Sequence, residues 1–320
     1  MRIGIYGAGN IGGYVGVRLA AADHEVTLLG RPWLAELGVL SAQDLGGEPV
    51  SGPVKVVFDA AELGGCELVL VTVKSRHSRS AGQDLAGIDA PVISLQNGLH
   101  NPAHIAEGLG AEVTPGMVPF NVIRDGACFR KATNLPIQVQ DDAAGRQLAE
   151  ALRGAGEPTE LVADMRAVQA GKLLFNLGNG VCAATGLRIA EMVRDRTART
   201  VLARCMGEGV AAFSSHGIPM ARVGPLPGWA VARLLPLPDV IVLNVARSIV
   251  QIDPEAMSST LQDLHARKPT EIEELNGEIV KLLPTHSPVN HRVVEAVRRL
   301  SATPAGQPLQ FVSADSLIPR

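Results

Sequence analysis

A chain of 320 residues, 46% hydrophobic and 19% charged, has enough apolar material for two packed domains rather than one. Lys plus Arg number 29 against 32 Asp plus Glu, a net charge of −3 that excludes the basic excess of a general nucleic-acid or anionic-membrane binder. Aromatics at 3% are too sparse for base-stacking platforms, and the longest apolar runs have strand length rather than bilayer length.

The start, Met1–Ile5, leads straight into a strand pattern instead of a signal peptide, so a cytoplasmic protein is expected. Short apolar runs follow at Ile3–Tyr6, Val26–Leu29, Val54–Phe58, Leu68–Val73 and Val92–Leu95, with helix-compatible stretches such as Tyr14–Ala22 and Asn101–Gly108 between them. Near-continuous apolar strands alternating with helices predict a parallel sheet covered on both faces. Glu112–Val118 and Leu135–Val139 extend that sheet, and Ala143–Leu152 reads as the helix after them. From about Met165 the pattern becomes helical: Ala167–Ala184, Ile189–Ser215, Asp239–Val250, Ser258–Ala266, Thr270–Leu283 and Val289–Leu300. The proline-rich segment Gly217–Pro238 reads as a loop, and the tail Ala302–Arg320, without helical period, as loosely attached. The expected organisation is an α/β Rossmann domain over residues 1–165 and an all-α domain over 166–320. Cys66, Cys128, Cys182 and Cys205 are scattered without metal spacing and read as buried reduced thiols; the histidines likewise form no ligand set, so no metal is expected.

Gly7-Ala8-Gly9-Asn10-Ile11-Gly12 is a GxGxxG fingerprint placed directly between a strand and a helix. Gly7 allows the tight turn, Gly9 lets the backbone approach a diphosphate, and Gly12 lets the helix pack closely on the strand. Unpaired amides at the helix start then offer hydrogen bonds and partial positive charge to the phosphates. An acid for the ribose hydroxyls is expected near the end of the second strand of an NAD site; here Val26–Leu29 is followed by Gly30-Arg31. Arg31, with Lys74 after the strand Val71–Val73, favours NADP(H), because a guanidinium can grip a 2′-phosphate in bidentate fashion. Taken singly, each of these cations is equally an ordinary solvated loop residue.

Farther along, Gln169, Lys172, Asn176 and Asn179 recur at spacings of three, four and three, so they share one helical face. The other faces are apolar or small, and a lysine inside such a helix requires a partner or a functional reason. The bland alternatives are an ammonium that snorkels to solvent or a structural ion pair. Asn97-Gly98 reads by default as a turn, Ser258-Ser259 as a helix cap, and Pro269-Thr270-Glu271 as the first turn of a helix.

Together, Gly7–Gly12, Arg31, Val73-Lys74, Leu95-Gln96-Asn97-Gly98, Lys172-Leu173 with Asn176, Ser258-Ser259 and Thr270-Glu271-Ile272 resemble the ketopantoate reductase (2-dehydropantoate 2-reductase) family in order and spacing. The resemblance covers nearly the whole chain. It implies a Rossmann domain joined to a helical domain, and reduction of a 2-oxo acid with NADPH in pantothenate synthesis. It also implies Lys172 as general acid and Asn97 as a contact to cofactor and substrate, with Asn176 and Ser259 binding substrate. Asn179 is a further substrate candidate, Glu271 lies by the cofactor ribose and the lysine, and Asn121 adds to the cofactor-binding set of Gly7, Ala8, Gly9, Asn10, Ile11, Gly12, Arg31 and Lys74. The chain departs from the family pattern at Gly180, where a second Asn is common, at Ala170, where a Trp is common, and through Val118–Val122. Those departures bear on which 2-oxo acid is used. The alternatives are the same chemistry on another 2-oxo acid or an imine, or a non-catalytic NADP(H)-binding regulator. A small-molecule substrate is the expected partner, with a homodimer allowed and neither nucleic acid nor membrane.

Overall fold

Alternate residues of the first strand face two different apolar cores, which is what a central strand of a covered sheet requires. Ile3 and Ile5 join a cluster with Tyr14, Val15, Val17 and Leu19, while Tyr6 joins a second with Val69, Val71, Ala81 and Ile105. The computed structural model describes residues 1–133, 135–223, 226–242, 244 and 256–319. They divide into two compact units, Met1–Met165 and Arg166–Arg320.

The first unit carries β1 (Arg2–Tyr6), β2 (Glu25–Leu29), β3 (Ser41–Gln43), β4 (Pro49–Ser51), β5 (Val54–Val57) and β6 (Leu68–Val71). It continues with β7 (Val92–Ser94), β8 (Val113–Met117), β9 (Val122–Asp125), β10 (Cys128–Lys131), β11 (Ile137–Gln140) and β12 (Thr159–Val162). Its helices are α1 (Asn10–Ala20), α2 (Pro32–Ala35), α3 (Ser78–Asp84), α4 (Asn101–Leu109) and α5 (Ala143–Gly154). The main sheet has the order β12-β11-β8-β7-β6-β1-β2-β5. Ile3 pairs with Val26 on one side and Leu68 on the other, so the chain leaves β1 first one way and later the other. Such a switch point opens a crevice at the carboxyl ends of β1 and β6. The expected parallel sheet holds from β5 to β8, but β11 runs antiparallel to β8 and carries β12 parallel to itself at that edge.

A second, four-stranded sheet of order β4-β3-β10-β9 was not expected from the sequence. It lies against α1 through Phe129, and Gly13 makes room: a Cβ there would come within 2.3 Å of the Phe129 ring. A buried charge group ties this sheet down. Lys131 of β10 is paired with Glu157, which also accepts a 2.7 Å hydrogen bond from Tyr14 of α1.

The second unit is helical: α6 (Met165–Thr185), α7 (Ile189–Arg194), α8 (Arg196–Ser215), α9 (Gly228–Leu234), α10 (Ser259–His265), α11 (Asn276–Leu282) and α12 (Pro288–Ser301). The continuous helix expected over Ile189–Ser215 is broken at Asp195, whose extended backbone lets its carboxylate cap Ala198 N–H at 2.9 Å. The segment read as a loop, Gly217–Pro238, contains α9. Most of the helix expected over Asp239–Val250 lies outside the described residues. Pro269 does not open a helix; α11 begins only at Asn276, and the Glu271 carbonyl accepts from Glu274 and Leu275 N–H in the preceding turn. The tail is not loose. Ala314 and Leu317 are buried, Val312 N–H donates to the Ala184 carbonyl, and Arg292 donates to the carbonyls of Ser316 and Ile318. Of the cysteines, Cys66, Cys182 and Cys205 are buried free thiols, and Cys128 is half-buried.

Candidate active site

The glycine fingerprint sits at the switch point of the main sheet, and each glycine has a separate reason to lack a side chain. Gly7 has φ +107°, and a Cβ there would stand 2.5 Å from Val73 Cγ1 at the end of β6. At Gly12 a Cβ would come within 2.4 Å of the Gly7 carbonyl and 2.5 Å of Thr72 Oγ1. Thr72 Oγ1 donates to that same carbonyl at 2.6 Å, so turn, helix and strand are locked together. Gly9 meets nothing within 4 Å: its face is open, as a backbone that must approach a diphosphate requires. A dinucleotide therefore fits this cradle.

The amides of Gly7 and Ala8 are spent on the Leu29 carbonyl, and that of Gly9 on the Gly7 carbonyl. The donors left for phosphate are those of Asn10, Ile11 and Gly12 in the first turn of α1, where no side-chain cap is present among the described residues. Ala8, named among the cofactor contacts, is thus 5% exposed and turned inward, whereas Asn10 is exposed and its Nδ2 donates to the Val122 carbonyl at 2.9 Å.

Arg31 is exposed at the start of α2, and Lys74 precedes a 3-10 turn at Ser75–His77. The field there is positive. His77 has its pKa lowered, first by burial and then by the Arg76 and Arg31 guanidinia, and its Nε2 accepts from Arg76 Nε at 3.0 Å. Between this loop and the one after β7 runs a buried amide–hydroxyl network that the sequence reading missed. Gln96 Nε2 donates to the Val73 carbonyl at 2.8 Å and to Ser78 Oγ at 2.9 Å, and its Oε1 accepts from Ser94 Oγ at 2.9 Å. Asn101 accepts from Ser78 Oγ at 2.9 Å and donates to Ser75 Oγ and to the Asn97 carbonyl. Every polar member but Asn97 is buried. The network fixes the Asn97 backbone and leaves its side chain exposed at the carboxyl edge of the sheet, next to Gly98 at φ +98°. Asn121 is exposed as well, between buried Phe120 and Val122.

In the second unit, α6 is one unbroken helix. Lys172, Asn176 and Asn179 are half-buried along it, and Gln169 is 5% exposed. Burial pushes the Lys172 ammonium down to about 8, into the range where a proton donor can work near neutrality. Ser258, rather than Ser259, anchors α10 to this helix. Its hydroxyl donates to the Asn179 carbonyl at 3.3 Å and accepts from Leu261 N–H as the helix cap. Ser259 stays half-buried at the first position of α10, and Glu271 is half-buried in the turn before α11. No cluster able to hold a metal ion occurs among the described residues, and none of their helices is long and apolar enough to cross a membrane.

The family model "Ketopantoate reductase PanE/ApbA" matches residues 3–141, and its companion, the C-terminal model of the same family, matches residues 164–301. The chain belongs to the ketopantoate reductase family. That makes it a dinucleotide-binding oxidoreductase acting on a CH–OH group. It is 28% identical over 316 residues to a 2-dehydropantoate 2-reductase of Halobacterium salinarum, covering 93% of this chain and 98% of the relative. A PanE/ApbA family ketopantoate reductase from Ralstonia eutropha superposes with TM-score 0.80 at 28% identity, covering 94% of this chain and 98% of the other. The fold is also that of a D-mandelate dehydrogenase solved with NADH and anilino(oxo)acetate, with TM-score 0.76 and 20% identity over 94% of this chain and 98% of the other.

Against the ketopantoate reductase pattern, the departures have local reasons. Ala170 is fully buried, beside a Gly171 whose Cβ would lie 2.2 Å from the Ala221 carbonyl, so this side of α6 is closed by packing. With Asn276 where its hydrogen bonds hold it, Gly180 has no room for a Cβ, which would stand 2.1 Å from Asn276 Oδ1. In Val118–Val122, Phe120 packs edge-on against Tyr14 and under the Lys131 ammonium, which explains an aromatic there.

Proposed function

We propose that the protein reduces 2-dehydropantoate to pantoate with NADPH, the reductive step of pantothenate synthesis. The first unit serves as the NADP(H)-binding domain and the second as the substrate and catalytic domain. The observation that carries the reading is Lys172, whose ammonium is pushed down to about 8 on a helix face shared with Asn176 and Asn179. A non-catalytic regulator has no use for such a group.

Asn10, Ile11 and Gly12 donate their amides to the diphosphate, and Arg31 with Lys74 neutralises the 2′-phosphate. Asn97 and Asn121 border the nicotinamide end, and Glu271 takes the ribose and balances the lysine. A bound reduced nicotinamide supplies the hydride to the ketone carbon. Lys172 Nζ donates to the ketone oxygen, stabilises the charge developing there and delivers the proton, so that ketone, hydride and proton become alcohol. Asn176, Asn179 and Ser259 orient the 2-oxo acid.

A panel of 2-oxo acids, followed by NADPH absorbance, tests this directly: 2-dehydropantoate should give the highest kcat/KM. A different 2-oxo acid at the top would retain the chemistry and replace the substrate. No turnover of any of them, with NADPH bound, would leave the regulator.

A further inference from the structure

The turn Leu177–Gly180 of α6, which holds Asn179 and follows Asn176, rests on a fully buried amide from another helix. Asn276, the first residue of α11, donates from Nδ2 to Asn290 Oδ1 at 2.9 Å and to the Leu177 carbonyl at 3.4 Å. The orientation of that amide is dictated from outside it. Glu208 of α8 accepts from Val289 N–H and Asn290 N–H, each at 2.9 Å, and from Asn290 Nδ2 at 2.7 Å. The Asn290 nitrogen also donates to the Cys205 carbonyl at 3.1 Å, so its oxygen must face Asn276, which must answer with its own nitrogen.

The Asn276 oxygen is then turned toward Gly180, and it has no hydrogen-bond donor among the described residues. Only a glycine fits under it. Any Cβ at 180 would be 2.1 Å away, so a Cα–H is all that this side of the helix can present. A leucine would fill the same space but leave the buried Asn290 Oδ1 and the Leu177 carbonyl without this donor, so the amide serves as a polar tie between α6 and α12 and not as packing alone.

We infer that Asn276 is a positioning residue: its amide, matched to Gly180, sets the turn of α6 that orients Asn176 and Asn179 toward substrate. The inference rests on the proposed reading of α6 as the substrate-binding helix. Asn276 acts through that helix and touches neither substrate nor cofactor.

The test uses the full-length protein with Asn276→Leu, Gly180→Ala, Asn276→Ala and the double variant Gly180→Ala/Asn276→Ala. Asn276→Leu should raise KM for the 2-oxo acid by about 10- to 10²-fold, the cost of a misplaced orienting group. Its kcat and NADPH affinity should stay within about threefold, because no reacting group is lost. Amide hydrogen exchange should quicken over residues 176–180 and not over α1. Gly180→Ala should lower Tm sharply alone and less in the double variant, since removing the Asn276 side chain takes away the two nearest atoms and leaves only the flexible end of Ile272, Cδ1 at 2.9 Å. Unchanged KM with unchanged exchange over 176–180 would overturn the proposal. So would a Gly180→Ala loss of Tm that is the same with and without the Asn276 amide, and this comparison decides the matter if Asn276→Leu does not fold. Should the parent protein turn over no 2-oxo acid, the proposed function fails, while exchange and Tm still judge the Asn276–Gly180 pair.

Discussion

The glycine turn and the helix α6, in the roles proposed for them, solve the same problem, holding a ligand group in place, by opposite means. At Gly7–Gly12 the function lies in absent side chains: two glycines are enforced by neighbours within 2.5 Å, and a third opens onto empty space. On α6 it lies in polar side chains that a mostly apolar helix would not otherwise carry. The first device is local, because turn, strand end and helix start are consecutive in the chain. The second is supported from a distance: Ser258 and Asn276, which hold α6 by its carbonyls, lie 79 and 99 residues beyond the groups they grip. A local device announces itself in sequence; a distributed one shows only its working face.

The contrast makes different variants fail in different ways. Lys172→Ala should lower kcat by about 10²–10⁴-fold, the usual worth of a positioned proton donor, with NADPH affinity unchanged. Stopped-flow turnover and fluorescence titration read the two quantities. Arg31→Ala should leave kcat alone and cut the preference for NADPH over NADH by about 10- to 10²-fold, as the loss of one charge-assisted contact predicts. Equal kcat/KM for the two cofactors in the parent protein would remove that role.

Gly12→Ala should weaken binding of both cofactors by about 10-fold and cost about 1–3 kcal/mol of stability, because its methyl overpacks the Gly7 carbonyl and Thr72. Leu317→Ala should have the smallest effect on turnover. It should cost about 2–4 kcal/mol in denaturant titration, because Leu317 is 2% exposed and the tail is packed. A wild-type midpoint in that variant would restore the reading of the tail as loose.

The same contrast explains what could be read in advance. Strands β1, β6 and β7 were legible because their apolar runs are buried on both faces, and β2 and β5 because their short β-branched and leucine runs recur at strand length even though half of their positions are only partly buried. The second sheet was not, since β3 and β4 have three residues each and β9 buries only Val122 of four. Lys172, Asn176 and Asn179 were visible as a polar face on an apolar helix. The Gln96–Asn101 network was not, because an amide following a strand looks the same in sequence whether it faces water or bonds Val73. Pro269 misled for a similar reason: a proline is favourable in the first helical turn but does not compel one, and here the chain turns once more, through Glu271–Leu275, before α11 begins.

The central claim is that Lys172 gives up the proton, and the pH dependence of kcat tests it most directly. An acid held at about 8 is protonated below that pH and lost above it, so reduction should run on a plateau at pH 6–7 and fall about tenfold per unit beyond 8. In Lys172→Met the residual rate should show no such fall. A parent profile flat from pH 7 to 10, or a Lys172→Met profile with the same inflection as the parent, would contradict the assignment.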